Sequence, residues 1–426
     1  MKDEFFLESL SNISGIDYMH VRKGIDPKFF LDRVLWFVKT IPDIYDKLPH
    51  QRFIHITGTS GKGTVGAMLM SILKTAGFSV GFYHSPHVHT VYERILFSPP
   101  REQPSCIPPR TFTSFVTFLK PYLENALLKS PCGIPSYFEI LLIIALMYFT
   151  RKKCQYIILE VGCGGRFDAT NLIPTSDLSI ITTIDLDHEH LIGPTKENIA
   201  YEKAGIIKHN SKILLGPSIK GKIRALIQKE AQKKHAALYT TPLPPSSDKK
   251  NIATWNKHIA RKAGQILSIQ KDFIIKGIQN YTPLPGRFEI IHENPIIILD
   301  GAHNPEKINY LVHCLKKYAP SEKKTLIFTA GEHKNWQRML DALIPLFDKI
   351  IITRHNVIQK KIADLRKMYA YCILKKREKS SVFFHLDPAD ALKKALKCSP
   401  KHNSIVVTGS LYLLGPINKI VQNIKL

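Results

Sequence analysis

The chain has 426 residues, of which 44% are hydrophobic, and this length exceeds what one ordinary hydrophobic core organises. Its formal net charge of +25 is spread over spaced lysine groups such as "LKKALK" instead of one basic arm, and solvated helix faces explain most of it. The remaining charge would suit small polyanions as well as it suits DNA, and no nucleic-acid partner is expected. Seven cysteines without a C-x-x-C pair argue against a disulfide framework and a structural zinc site.

The beginning of the chain and its longest apolar run do not predict export or membrane insertion. "MKDEFFLESLSNISG" lacks the basic start and apolar stretch of a secretory signal. The run "ILLIIALMYF" (140–149) has half the length of a membrane span, which needs about 20 residues. We therefore expect a cytoplasmic protein of two or three domains.

A strand, a glycine-rich loop and a helix follow one another early in the chain. After a helix predicted from Pro27 to Ile41 come "RFIHITG", "GTSGKGT" and "TVGAMLMSILKTAGF". The loop departs from the usual pattern G-x-x-x-x-G-K-[ST], because Gly63 follows Lys62. Its N–H groups and the helix N-terminus still favour a phosphate-binding loop, in which Thr64 caps the helix or reaches Mg²⁺; a plain tight turn is the alternative.

Almost wholly apolar strands then alternate with helices, which predicts an α/β fold with a mostly parallel sheet covered on both faces. "SVGFYHSP", "YIILEVG" and "LSIITTIDLDH" are the next predicted strands, and after a loop near residue 245 the pattern resumes at "PIIILDGAHNP". Two prolines and a glycine in "NYTPLPGRFE" indicate a hinge. We expect a P-loop-type domain over residues 1–282 and a smaller, Rossmann-like α/β domain over residues 283–426.

Polar residues at strand ends are the candidates for chemistry, because ligands bind at the carboxyl ends of parallel strands. Glu160 follows "YIIL" and suits Mg²⁺, although such a residue also serves as a helix cap or ion-pair partner. Histidines in "HSPHVH" and "DLDHEH" invite a zinc site, yet such loops more often supply hydrogen bonds. Lys203, on a predicted short helix, is interpreted from the residues alone as a solvated side chain. Asp300 takes ribose hydroxyls or begins the next helix.

Seven motifs in order carry a resemblance to a known family. They are "ITGTSGKGT", "HSPHVHTVYERI", "YFE", "LEVGCGGRFDATN", "DLDHEHLIGPTKENIAYEKAGIIK", "PGRFEII" and "LDGAHNP". Together they resemble the folylpolyglutamate synthase and dihydrofolate synthase family, cousins of the muramyl peptide ligases. The family's loop is G-T-x-G-K-G-[ST], so "GTSGKGT" is similar to an ordinary loop of that lineage.

The resemblance implies roles residue by residue. ATP would be bound by Gly58, Thr59, Ser60, Gly61, Lys62, Gly63, Thr64, Asn256, Arg287, Asp300 and His303. Metal would be held by Ser85, Glu160, His188, Thr64 and, once carbamylated, Lys203. The catalytic residues would be Lys62, Lys203 and His188. The pterin would contact Ser136, Phe138 and Asp168. Ser60 stands in place of the commoner Asn and Ser136 in place of Thr, and "GEHKNW" lacks the acids of many members.

The implied activity is an ATP-dependent ligase that adds L-glutamate to dihydropteroate, to the γ-carboxylate of tetrahydrofolate, or to both, through an acyl phosphate. The resemblance further implies two Mg²⁺ sites, a possible monovalent cation, a monomer and no membrane partner. Two alternatives stay open at this point. One is another ligase of the superfamily with a muramyl-type acceptor; the other is a basic, nucleotide-gated module that binds nucleic acid and makes no amide.

Overall fold

The computed structural model describes residues 2–10, 26–186, 189–244, 252–319, 323–357, 360–399 and 403–423, with the backbone alone for 2–5, 189 and 190. The chain forms two compact units. The first consists of residues 1–85 and 91–283, and the second of residues 86–90 and 284–426.

The first unit contains an eight-stranded sheet in the order β4-β3-β2-β5-β1-β6-β7-β8. Its strands are β1 Phe53–Thr57, β2 Val80–Tyr83, β3 Ile95–Ser98, β4 Ser105–Cys106, β5 Tyr156–Glu160, β6 Leu178–Ile181, β7 Lys212–Leu215 and β8 Ala237–Thr240. The six strands from β2 to β8 in this order pair in parallel, whereas β3 and β4 are added antiparallel at one edge. The buried, β-branched strands β1, β5 and β6 form its centre, as expected of a sheet covered on both faces.

Helices flank this sheet. They are α1 Lys2–Ser9, α2 Lys28–Thr40, α3 Ile44–Lys47, α4 Lys62–Thr75, α5 Pro109–Lys129, α6 Tyr137–Arg151, α7 Glu189–Ile192, α8 Lys196–Ala204, α9 Gly221–Lys233, α10 Ile252–Ile266 and α11 Lys271–Gln279, with 3₁₀ turns at Leu48–His50, Val91–Arg94 and Ala169–Leu172. α6 contains the apolar run 140–149 and is buried in the core. In the described part of the chain, no helix combines the length and the hydropathy that crossing a membrane requires.

A buried ion pair connects α2 to α6. The Arg33 guanidinium donates from Nε and Nη2 to the two Glu139 carboxylate oxygens at 2.9 and 2.8 Å, and the two side chains are 1% and 4% exposed. Glu139 also accepts a hydrogen bond from the backbone N–H of Ser136, whose own side chain caps the start of α6. The bidentate geometry compensates two charges that are removed from water.

The second unit contains a six-stranded sheet in the order β13-β12-β11-β14-β10-β9, parallel except for β9. Its strands are β9 Glu289–Glu293, β10 Ile296–Leu299, β11 Lys324–Phe328, β12 Lys349–Ile352, β13 Ser381–Phe384 and β14 Ser404–Thr408. Its helices are α12 Pro305–Tyr318, α13 Trp336–Leu343, α14 Leu365–Lys375, α15 Pro388–Cys398 and α16 Leu411–Asn423, with a 3₁₀ turn at Ile344–Leu346. Both units confirm the predicted α/β class.

The segment 86–90 belongs to the second unit, although the residues on either side of it in the sequence belong to the first. Val88 is 9% exposed and belongs to an apolar cluster that includes Leu411 and Leu414. A Cβ atom on Gly415 would lie 2.2 Å from the Val88 carbonyl oxygen, so only glycine permits this contact. His89 lies 3.2 Å from the Asn418 amide. The segment is therefore a fitted part of that core.

Candidate functional site

Three neighbouring strands of the first sheet bring the predicted residues to one edge. β5 lies between β2 and β1, with Leu159 opposite Tyr83 and Glu160 opposite Ile56. The glycine-rich loop follows β1, and Ser85 and Glu160 lie at the ends of β2 and β5. The backbone N–H of Ser85 is 3.3 Å from the Glu160 carboxylate. Parallel pairing alone explains this convergence, since it aligns the carboxyl ends of strands.

The loop between β1 and α4 has a conformation that suits phosphate binding. Gly61 adopts a φ of +87° immediately before α4, which begins at Lys62. The Lys62 ammonium donates to the Gly58 carbonyl oxygen at 2.8 Å and therefore folds back over the loop. Gly63 and Thr64 form the first turn of α4. A helix N-terminus with free N–H groups and an adjacent lysine suits a phosphate.

Two threonines after β6 support this loop, and the sequence reasoning missed them. The Thr182 hydroxyl donates to the Ser60 carbonyl oxygen at 2.6 Å, and the backbone N–H of Ser60 donates to the Thr183 hydroxyl at 2.9 Å. The backbone N–H of Thr59 bonds to the Thr183 carbonyl at 3.0 Å. A sequence signal for this role was present, because the two threonines directly follow an apolar strand that ends at the same edge of the sheet as the loop.

Asn256 of α10 lies against the loop. Its side-chain oxygen would be 2.3 Å from a Cβ atom on Gly61, so any larger residue there would collide with it. Asn256 is 4% exposed, and its Oδ1 atom has no hydrogen-bond partner among the described residues. A buried amide oxygen without a partner is costly unless a ligand satisfies it. This observation fits the predicted role of Asn256 in binding ATP.

Lys203 is buried, at 5% exposure, so the interpretation of it as a solvated side chain is wrong. It lines a crevice whose walls include Thr57, Gly58, Lys62, Gly162 and Gly164. Two glycines allow the loop after β5 to pack closely against the end of α8. A Cβ atom on Gly205 would lie 2.3 Å from the Arg166 Cβ atom, and a Cβ atom on Gly165 would lie 3.0 Å from the Glu202 carbonyl oxygen. The glycines of "GCGGR" and "KAG" are thus explained by two backbones in contact.

The donor set at this edge fits a divalent cation. Glu160 is 4% exposed at a strand end, beside Ser85, and carboxylate and hydroxyl oxygens are ligands that Mg²⁺ prefers. His188 lies outside the described residues. Within the described ranges, no group of three or more His, Cys, Asp or Glu side chains converges as a metal site, so the set would need other oxygen ligands, such as the Ser85 hydroxyl and a carbamylated Lys203.

The three residues assigned to the pterin have structural partners. The Asp168 carboxylate accepts hydrogen bonds from the N–H groups of Gly162, Cys163 and Thr170 and from the Thr170 hydroxyl. Burial raises the pKa of this carboxyl, and the hydrogen bonds oppose that rise. Ser136 caps α6. The Phe138 ring would be 2.8 Å from a Cβ atom on Gly162, so the glycine makes room for the ring.

In the second unit, Arg287, Asp300 and His303 lie around the turn after β10. The Asp300 carboxylate accepts from the N–H groups of Phe288 and Ala302 at 2.9 and 2.8 Å, and burial raises its pKa while Arg287 and the hydrogen bonds oppose this rise. His303 bonds to the Gly301 carbonyl through Nδ1 at 2.8 Å. Asn304, and not Asp300, caps α12. Asp300 therefore connects Phe288, just before β9, to the turn that follows β10.

Two domains of one known protein family match the chain. Residues 56–291 match the Mur ligase middle domain, and residues 286–411 match the Mur ligase glutamate ligase domain. The first match alone spans more than half of the chain.

Curated relatives and solved structures agree with these matches. The dihydrofolate synthase/folylpolyglutamate synthase of Buchnera aphidicola subsp. Baizongia pistaciae is 30% identical over 76% of this chain and 76% of its own length. The protein of the same name from Bacillus subtilis is 29% identical over 86% and 90%. The solved folylpolyglutamate synthase of Thermotoga maritima is 28% identical, with a TM-score of 0.73 over 92% of this chain and 93% of that one.

Proposed function

The chain belongs to the Mur ligase family and, within it, to the dihydrofolate synthase and folylpolyglutamate synthase family, and on this premise we propose how its residues perform the reaction. It is an ATP-dependent ligase that adds L-glutamate to dihydropteroate, to the γ-carboxylate of tetrahydrofolate, or to both. The observation that carries the residue assignment is the crevice in which the phosphate loop, Lys62 and the buried Lys203 meet.

The chemistry of amide formation explains this donor set. A carboxylate is a poor electrophile, so ligation requires transfer of the ATP γ-phosphoryl group to it, which gives an acyl phosphate that the glutamate amine attacks. The transfer needs neutralised charge and alignment more than acid–base groups. Lys62 and the loop N–H groups would hold the β- and γ-phosphates. A divalent cation held by Ser85, Glu160, Thr64 and, once carbamylated, Lys203 would neutralise the phosphate oxygens when bound.

Nucleotide and acceptor would be oriented by the remaining residues. Asn256 would bond to the adenine through its unpaired oxygen, and Arg287, Asp300 and His303 would also contact the nucleotide. Phe138, beside Gly162, offers a ring on which a pterin can stack, while Ser136 and Asp168 would contribute contacts beyond their hydrogen bonds within the chain. Two Mg²⁺ ions with His188 as a ligand, a monovalent cation, a monomeric state and a cytoplasmic location complete the proposal.

One ligation assay tests the function. Purified protein with ATP, Mg²⁺ and L-glutamate is offered dihydropteroate, tetrahydrofolate or a muramyl peptide, and both phosphate and the coupled product are measured. We expect phosphate and product in equal amounts with one or both pteroyl acceptors. Phosphate release that does not depend on the pterin, or a product with the muramyl acceptor alone, would contradict the proposal.

Carbamylation of Lys203 gives a second prediction. A carbamate would convert this buried cation into a carboxylate-like ligand, so Lys203→Ala should lose activity by roughly 10²-fold or more and regain part of it with added acetate. Lys222→Ala, which removes an exposed lysine of α9, is the matched control and should retain activity. With ¹³C-bicarbonate, a carbamate NMR signal should be present in the control and absent from Lys203→Ala. Failure of rescue together with an unchanged spectrum would exclude the carbamate.

A further inference from the structure

A second cavity in the first unit, separate from the crevice with the phosphate loop, has a volume of about 340 Å³. Its walls come from the loop 166–174, the turn 204–209, α9 with the adjoining Lys234, and Leu31 of α2. This volume lies in the range of small-molecule sites. Neither the phosphate loop nor any residue assigned above to ATP, metal or pterin lines it.

The cavity has an excess of positive charge. Arg166, Lys208 and Lys234 are among its lining residues, and Glu230 is the carboxylate that faces them. That carboxylate is already shared, at 3.1 Å by Arg166 and at 2.7 Å by Lys233. Among the described lining residues, the ammonium groups of Lys208 and Lys234 therefore have no carboxylate left to neutralise them. An excess of cations on the wall of a cavity attracts a small anion.

The two lysines have hydrogen-bond partners that leave their charge uncompensated. Lys208 donates to the backbone carbonyl of Asn171 at 3.0 Å, and Lys234 lies 3.1 Å from the His209 Nε2 atom. Burial lowers the pKa of Lys208 to about 8, and the nearby Lys234 ammonium contributes to that shift. The contribution of Lys234 shows that the two positive charges lie near each other.

Two lining residues also carry buried polar atoms without partners. Arg166 Nε and Asn171 Oδ1 make no hydrogen bond to any described residue. Unsatisfied buried polar atoms are uncommon in folded proteins and point to a bound ligand or water.

We propose that this cavity is a second anion site, which binds a small polyanion of the phosphate or carboxylate class through Lys208, Lys234 and Arg166. The bound anion would contact Gly205 and Ala204, which directly follow Lys203, so the site adjoins the segment that positions that lysine. The inference stands apart from the ligation reaction, because binding here can be measured without turnover.

The test uses a Lys62→Ala parent, in which phosphate binding at the loop is weakened. Calorimetric titration compares pyrophosphate with tri-γ-glutamate, so that the phosphate and carboxylate sources are distinguished. We expect one of them to bind at a single saturable site, more weakly as salt rises. Adding Lys234→Gln should weaken binding about tenfold or more, whereas Lys222→Gln, which makes the same charge change at an exposed lysine of α9 outside the cavity lining, should leave it within about twofold.

A second variant guards against loss of folding. Lys208→Met keeps the length of the buried side chain and removes its charge, and should weaken binding as Lys234→Gln does while the circular dichroism spectrum stays unchanged. Equal binding by all variants, or no saturable binding of either probe to the parent, would overturn the proposal. A folded Lys208→Met protein that binds as tightly as the parent would do the same.

Discussion

Replacing Lys62 with alanine is expected to lower the rate of ligation by about 10³-fold or more while leaving the fold intact. The side chain lies over the phosphate loop, where its ammonium donates to the Gly58 carbonyl. Lys62 is not part of the hydrophobic core of the first unit. Its loss should therefore change the free energy of unfolding by no more than about 0.5 kcal/mol. Initial rates of product formation and urea unfolding curves measure the two effects.

Lys62→Met is the matched variant, because it keeps the aliphatic chain and removes the ammonium alone. If charge is the contribution of Lys62, methionine and alanine should lose the same activity. Substantial activity in the methionine variant would show that the side chain acts by packing. An alanine variant that unfolds in buffer would contradict the assignment in the other direction, since it would give the lysine a structural role.

Replacing Arg33 with methionine is expected to lower the free energy of unfolding by about 3–5 kcal/mol. The change leaves the Glu139 carboxylate buried without its bidentate partner, although it keeps the hydrogen bond from the Ser136 N–H. Urea denaturation followed by circular dichroism measures the effect.

Lys28→Met provides the control for this prediction on the same helix. Lys28 pairs with Asp32 at 3.8 Å, but both side chains are exposed, so its loss should cost less than about 0.5 kcal/mol. The double variant Arg33→Met with Glu139→Gln should recover part of the lost stability, since no unpaired charge remains buried. Equal costs for Arg33→Met and Lys28→Met would show that burial contributes nothing to this ion pair.

The fold class and the phosphate loop could be predicted because their signals are local. Apolar, β-branched runs such as "YIILE" specify buried parallel strands, and the glycines around Lys62 specify a loop that only a few residue types can form. The position of Glu160 follows from the same pattern, since a residue after a parallel strand lies at the carboxyl edge of the sheet.

Other features depend on contacts between distant parts of the chain, which periodicity does not report. Lys203 is on a short, polar helix, and its burial results from the approach of Gly165 to the end of that helix. Asn256 meets Gly61 across about two hundred residues of sequence. Asp168, assigned through a motif to the pterin, also holds the N–H groups of its own loop. A sequence motif names such a residue without separating its structural role from its role in binding.

The packing of residues 86–90 has a consequence for building chimeras from related enzymes. Because Val88 and His89 fit against Gly415 and Asn418, the structural unit that ends the chain is encoded by two separate stretches. A single crossover near residue 284 would combine one parent's short stretch with the other parent's helix, and the close contact at Gly415 tolerates little mismatch. Functional hybrids should therefore require both stretches to be inherited together.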